Sequence, residues 1–186
     1  MSRAATDVSF RAVLFDLDGT LLNTLEDLAD AMNRALEKEG FPTHRVDAYR
    51  HFVGNGSSML VRRALPPERR EDDGLIRSCL DRFLREYRLN WMVKTRPYDG
   101  VAGLLEGLTR QGFKMAVLSN KIDEITKQVV AHLLSQWKFD AVVGQRQGVP
   151  EKPDPTAALE IAGRLGVSPE EFVYLGDSAV DMKTSV

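Results

Sequence analysis

Apolar and polar positions along the chain fall into two styles. Ala12-Val13-Leu14-Phe15 is a short apolar run halted by Asp16-Leu17-Asp18-Gly19-Thr20, the pattern of a buried strand meeting a turn. Leu25, Leu28, Met32, Ala35 and Leu36 then recur at three- and four-residue steps among charged residues, which predicts an amphipathic helix with Gly40 as its stop. Phe52-Val53-Gly54-Asn55-Gly56 reads as a turn, 57–65 as a helix ending at Pro66-Pro67, and 71–89 as a further helix. Residues 23–95 thus read as almost all helix. From Pro97-Tyr98-Asp99-Gly100 onward, helices (101–111, 125–135, 156–165) alternate with short strands (113–118, 139–143, 172–175). That alternation predicts a parallel sheet covered on both faces. The strand at 12–15 has no partner nearby in sequence and must join it. The expected fold class is α/β: a doubly wound, Rossmann-like parallel-sheet core (1–22 and 96–186) with an inserted small helical cap (23–95).

Composition narrows the function classes. Hydrophobic residues are 43% and charged residues 28%, enough apolar material for a core. Lys+Arg is 25 and Asp+Glu 27, a net charge of -2, which excludes a nucleic-acid binder that works through bulk charge. A small anionic ligand needs only a local positive site. The single cysteine, Cys79, forms no internal disulfide. No apolar run approaches the ~18 residues of a membrane span. Met1 to Phe10 reads as a loose polar leader without a signal-peptide stretch. A cytoplasmic chain with no membrane or nucleic-acid partner is expected.

Ligands of open parallel sheets bind beyond the carboxyl ends of the strands, so the residues there are the place to look for chemistry. Asp16 and Asp18 follow the first strand, Ser119 and Asn120 the second, a loop with Lys152 the third, and Asp177 and Asp181 the last. Asp16 and Asp18 are two apart and project similarly from extended backbone. Asp177 and Asp181 are four apart, one helical turn. Converging carboxylates repel unless a cation sits among them, and hard oxygen ligands without His or Cys favour Mg²⁺ over Zn²⁺. Ser119, Lys152 and backbone N–H groups around Gly19, Thr20 and Asn120 would hold an anion. Carboxylates, Mg²⁺ and an anion cradle together point to phosphoryl chemistry.

These residues resemble the haloacid dehalogenase-like superfamily in its phosphatase branch. Four motifs match in order: Asp16-Leu17-Asp18-Gly19-Thr20, Ser119-Asn120, Lys152-Pro153-Asp154-Pro155, and Gly176-Asp177-Ser178 with Asp181. The first alone arises by chance in roughly one random chain per few hundred. Phe52-Val53-Gly54-Asn55-Gly56, Arg62-Arg63-Ala64-Leu65 and Pro97-Tyr98-Asp99-Gly100-Val101 are similar to the phosphoglycolate phosphatase group. The resemblance implies that Asp16 is a nucleophile that becomes an aspartyl-phosphate and that Asp18 is general acid, then general base. It implies Mg²⁺ on Asp16, the backbone carbonyl of Asp18 and Asp177, with Asp181 close by. Ser119, Asn120, Gly19, Thr20 and Lys152 would bind phosphate, Lys152 also orienting Asp16. In the cap, Gly54, Asn55, Gly56 and Arg63 are candidates for substrate contact; the competing reading gives the glycines a turn and Arg63 a surface pair. The implied substrate is a small phosphorylated metabolite such as 2-phosphoglycolate.

Other reactions run on the same machinery: sugar-phosphate mutase, pyrophosphatase or nucleotidase. Halide-removing relatives lack the second Asp and the metal, and phosphonate-cleaving relatives need a cap lysine for which Lys38 is the one early candidate. A phospho-accepting receiver domain has no helical insertion and carries its Asp after a later strand. His44, His51 and His132 lack ligand spacing. Two departures from the family stand out. Asn23 occupies a linker position where many relatives carry Asp. Val186 lies five residues past Asp181, where relatives continue, so the C-terminal edge of the core is expected to be truncated. An exposed sheet edge of that kind suits a homodimer as well as a monomer, and keeps open a catalytically inactive binding or regulatory module.

Overall fold

The fold, taken from a computed structural model, is described for residues 9–185. Most of the expected leader therefore lies outside the described residues. Strands β1 (Ala12–Phe15), β4 (Lys114–Ile122), β5 (Ala141–Gln145) and β6 (Phe172–Leu175) form one parallel sheet in the order β5-β4-β1-β6. β1 is paired on both sides and all four of its residues are buried, which is why it reads as a continuous apolar run. β6 pairs with β1 along one side and is half-buried throughout.

The two-residue period of the strands sorts their side chains into two cores. Val13, Phe15, Met115 and Val117 point to one face, where they meet Val101 and Leu105 of α4 (Val101–Arg110) and Ile125 and Val129 of α5 (Asp123–Leu133). Ala12, Leu14, Ala116 and Leu118 point to the other, against Ile161 and Leu165 of α6 (Thr156–Leu165). Helices thus cover both faces, as the alternating pattern predicts.

The chain leaves this sheet through β2 (Leu22–Asn23) and returns through β3 (Arg96–Pro97), which pair antiparallel as a two-residue ladder. Between them lie α1 (Leu25–Lys38), α2 (Gly56–Ala64) and α3 (Asp73–Asn90). Their apolar faces join the first of the two cores: Met32, Ala35 and Leu36 with Cys79, Phe83 and Tyr87. The buried Asp27 of α1 ties the return segment down. It accepts the backbone N–H groups of Lys94 and Thr95 and the Thr95 hydroxyl, at 2.7–3.0 Å.

One expected boundary moves in an informative way. The strand read as 113–118 runs on to Ile122, and its register against β5 shifts between Leu118 and Ile122. That irregularity is a bulge made of Ser119, Asn120 and Lys121. Polar residues read as a strand stop, but each of these finds partners while extended, so the strand continues. Gly144 lies opposite, where an added Cβ would sit 2.5 Å from the Lys121 carbonyl oxygen and from Asp123 Cα. Its lack of a side chain lets the bulge pack. The strand expected at 139–143 starts at Ala141 instead, because Asp140 turns to cap β4: its N–H donates to the Met115 carbonyl, and its carboxylate accepts the Met115 N–H.

Candidate active site

Asp16 closes β1, its N–H donating to the Leu175 carbonyl at 2.8 Å. The chain then folds back, with the N–H groups of Leu21 and Leu22 on the Leu17 carbonyl and the Gly19 N–H on that of Leu22. Gly19 sits at φ 90°, and a Cβ there would lie 2.2 Å from Asp177 Oδ2, so glycine is required twice over. α7 (Ala179–Thr184) brings Asp181 back over the end of the sheet, Ser178 capping its first turn.

Lys152 is the hub. Its buried ammonium donates to Asp16 Oδ1 (2.8 Å), Asp181 Oδ1 (2.7 Å) and the Leu118 carbonyl (2.9 Å), which uses all three N–H bonds. Burial works against its charge, but Asp16 and Asp181 outweigh that and raise its pKa. Asp181 shows the converse: burial pushes up, Lys152 and Ser178 pull further down, and the net is a lowered pKa. Asp16 is buried so deeply that, Lys152 notwithstanding, its pKa is pushed up to about 7, with Asp181 adding repulsion. Asp177 is raised by half-burial and by Asp181.

Asn120 locks the loops together. Its side chain accepts the Lys152 N–H at 2.8 Å and donates to the carbonyls of Lys152 (3.0 Å) and Gly54 (3.2 Å). Ser119 is buried beside it and lines the same cleft as Asp16 and Asp18. Gly54 and Gly56 line the opposite wall, so the helical segment faces the acids directly. Asn55 and Arg63 are placed otherwise. Arg63 donates to Asn55 Oδ1 (2.9 Å) and to the carbonyls of His51 and Phe52 (3.3 Å each), holding the 51–55 loop in shape. Thr20 reaches Asp177 Oδ1 at 3.4 Å.

Among the described residues, Asp16, Asp177 and Asp181 offer carboxylate oxygens all within 4.8 Å of one another. One ammonium among three acids leaves an excess of negative charge, and the donors are all hard oxygens, so the group fits a divalent cation. The Asp18 carboxylate stands outside this cluster, which leaves its backbone carbonyl as the expected ligand.

Two residues escaped the sequence reading. Lys121 is buried and donates to Asp18 Oδ2 at 2.7 Å and Oδ1 at 2.9 Å, with its ammonium 4.7 Å from the centre of the Tyr87 ring. A lysine following Ser119-Asn120 at the active end of a strand was the signal. Asp27 had none, because its partners lie on a segment far along the chain.

The family profile described as haloacid dehalogenase-like hydrolase matches residues 13–186. A phosphoglycolate phosphatase of Aquifex aeolicus is 34% identical over 173 residues, covering 93% of this chain and 78% of that protein. One from Pseudomonas putida is 37% identical over 182 residues, covering 94% and 65%. A crystal structure from Lactobacillus delbrueckii subsp. bulgaricus superposes with a TM-score of 0.86 at 31% identity, over 95% of this chain and 82% of that one. The chain belongs to the haloacid dehalogenase-like hydrolase family. Within it, the chain groups with the phosphatases. No helix of the described residues is long and apolar enough to cross a membrane.

Proposed function

We propose that this chain is a Mg²⁺-dependent phosphomonoester hydrolase that acts through an aspartyl-phosphate on Asp16, with 2-phosphoglycolate or a similar small phosphate ester as substrate. The observation that carries the reading is the Lys152 ammonium lodged between Asp16 and Asp181 at one end of a cleft. Lys152 holds Asp16 Oδ1, which orients the carboxylate and leaves Oδ2 to attack phosphorus. As the Asp16–phosphorus bond forms, the bond from phosphorus to the ester oxygen breaks, and Asp18 gives that oxygen its proton. In the second half a water attacks phosphorus and passes a proton back to Asp18. The Asp16 carboxylate leaves and inorganic phosphate is released. Ser119 and backbone N–H groups beside Asn120 and Gly19 hold the phosphate oxygens throughout. Asp16, Asp177 and the Asp18 carbonyl, with Asp181 adjoining, would hold the cation, whose charge lets an anionic carboxylate approach an anionic ester.

In this reading residues 23–95 act as a cap over a core of 1–22 and 96–186, hinged at the short β2–β3 ladder. Docking of Gly54 on Asn120 supports that role, because it closes the cleft over the acids. The test is phosphate release from 2-phosphoglycolate and from an aryl phosphate, with and without Mg²⁺, against Asp16→Asn. Release that needs both Mg²⁺ and Asp16, with preference for 2-phosphoglycolate, is expected. A folded chain that releases phosphate from neither compound overturns the proposal in favour of a binding module.

A further inference from the structure

A cleft open to solvent lies between the sheet end and the helical segment. Its walls away from the acids are apolar: Leu28, Val53, Leu60, Phe83, Leu84 and Ile125. Among the described residues, Lys121 is the one cationic side chain that lines it. Lys152 has no N–H to spare, whereas Lys121 is only partly committed. Asp18 takes two of its three N–H bonds, and the ammonium lies over the Tyr87 ring. The Tyr87 hydroxyl, on a residue 2% exposed that also lines the cleft, has the Lys121 ammonium close by but no well-formed hydrogen bond among the described residues. A buried hydroxyl without a well-formed hydrogen bond is costly in a finished core, and this one sits beside an ammonium whose well-formed bonds go to Asp18 alone.

We propose that Lys121, assisted by the Tyr87 hydroxyl, recognises a carboxylate on the leaving group, and that this carboxylate displaces Asp18 from Lys121. The proposal rests on the phosphatase reading and deepens it. In 2-phosphoglycolate the carboxylate carbon is separated from the ester oxygen by a single methylene. The residue that serves the ester oxygen is Asp18, and Lys121 touches Asp18 at 2.7 Å, so the ammonium lies within reach of that carboxylate. An anionic leaving group exchanges one ion pair for another and turns the Asp18 oxygens toward the ester. A neutral leaving group leaves Lys121 holding Asp18. Lys121 is therefore a specificity-determining residue for an anionic substrate, and α3, through Tyr87, brings the helical segment into that selection.

The test compares 2-phosphoglycolate with 2-hydroxyethyl phosphate, of similar size but with an uncharged leaving group, in the parent and in Lys121→Met. The expected result is a ~100-fold loss of kcat/KM on 2-phosphoglycolate, carried mainly by KM, and a loss under ~5-fold on the ester with the uncharged leaving group. Lys121→Arg keeps the preference. If Lys121→Met does not melt cooperatively, Lys121→Gln, close in length and able to donate to Asp18, serves instead. Equal losses on both esters mean that Lys121 only positions Asp18 and overturn the proposal, as does a preference for 2-phosphoglycolate that survives the loss of charge. Glycolate binding by titration calorimetry is independent of turnover. At least 10-fold weaker binding in the variant supports the proposal even if the parent hydrolyses nothing, an outcome that defeats the phosphatase reading alone. Glycolate binding that is absent in the parent or indifferent to Lys121 overturns it.

Discussion

Replacing Asp16 with Asn should stabilise the metal-free protein at neutral and alkaline pH. The Asp16 carboxyl is buried beside Asp181, and its pKa rises from the ordinary 3.8 to about 7, which is worth ~4 kcal/mol. The sign follows from proton counts. Between about pH 4 and pH 7 the folded chain holds a proton on Asp16 that the unfolded chain has released, so stability falls as pH rises through that window. The contribution is fully present below the unfolded value and lost above the folded one. Asn stands in for the protonated carboxyl and removes this dependence. The stability gap between Asp16→Asn and the parent should therefore widen by ~3 kcal/mol from pH 5 to pH 8, or about 5–10 °C in Tm for a chain of this size. The assay is thermal melting of both proteins across that range in a chelator. A parent at least as stable as the variant at pH 8, or a gap that does not change with pH, would refute the reasoning. Added Mg²⁺ should raise the Tm of the parent more than that of the variant, which keeps Asp177 and Asp181 but lacks the third carboxylate of the cluster.

Three further outcomes follow from the geometry. Lys152→Met should lower kcat by ~10³-fold, because it removes the ammonium shared by Asp16 and Asp181; steady-state phosphate release measures this. Asp27→Ala should cost ~2–4 kcal/mol in urea unfolding, because it strands the N–H groups of Lys94 and Thr95, with Asp27→Asn costing less. Gly144→Ala should destabilise the fold by ~1–3 kcal/mol and reduce turnover as well, because its Cβ meets the backbone of the bulge that carries Ser119 and Lys121; melting and kinetics on one preparation check both.

The acids and Lys152 were legible because each follows an apolar strand, and a parallel sheet gathers the carboxyl ends of its strands along one edge. Asp181 was legible as a site residue but not as a buried one. Its helical position reads equally well as exposed, and only the closing of α7 onto β6 puts it 2.7 Å from Lys152. Arg63 shows the limit in the helical segment. A lone arginine after a glycine turn suits a substrate contact or a surface pair, and neither reading foresees its bonds to Asn55 and to the carbonyls of His51 and Phe52.

The sequence by itself determined the alternation of helices and strands, the two-faced burial of the sheet, the helical insertion and the four groups of polar residues at the strand ends. These are local or periodic properties, written in stretches of four to twenty residues, and backbone geometry translates them directly into elements. Tertiary structure alone decided the pairings between segments far apart in the chain: Lys121 with Asp18, Tyr87 over Lys121, Asn120 on Gly54, and Asp27 on the return strand. A charged residue looks solvated in sequence until the fold removes water from it, and only then does its need for a partner decide where it lies.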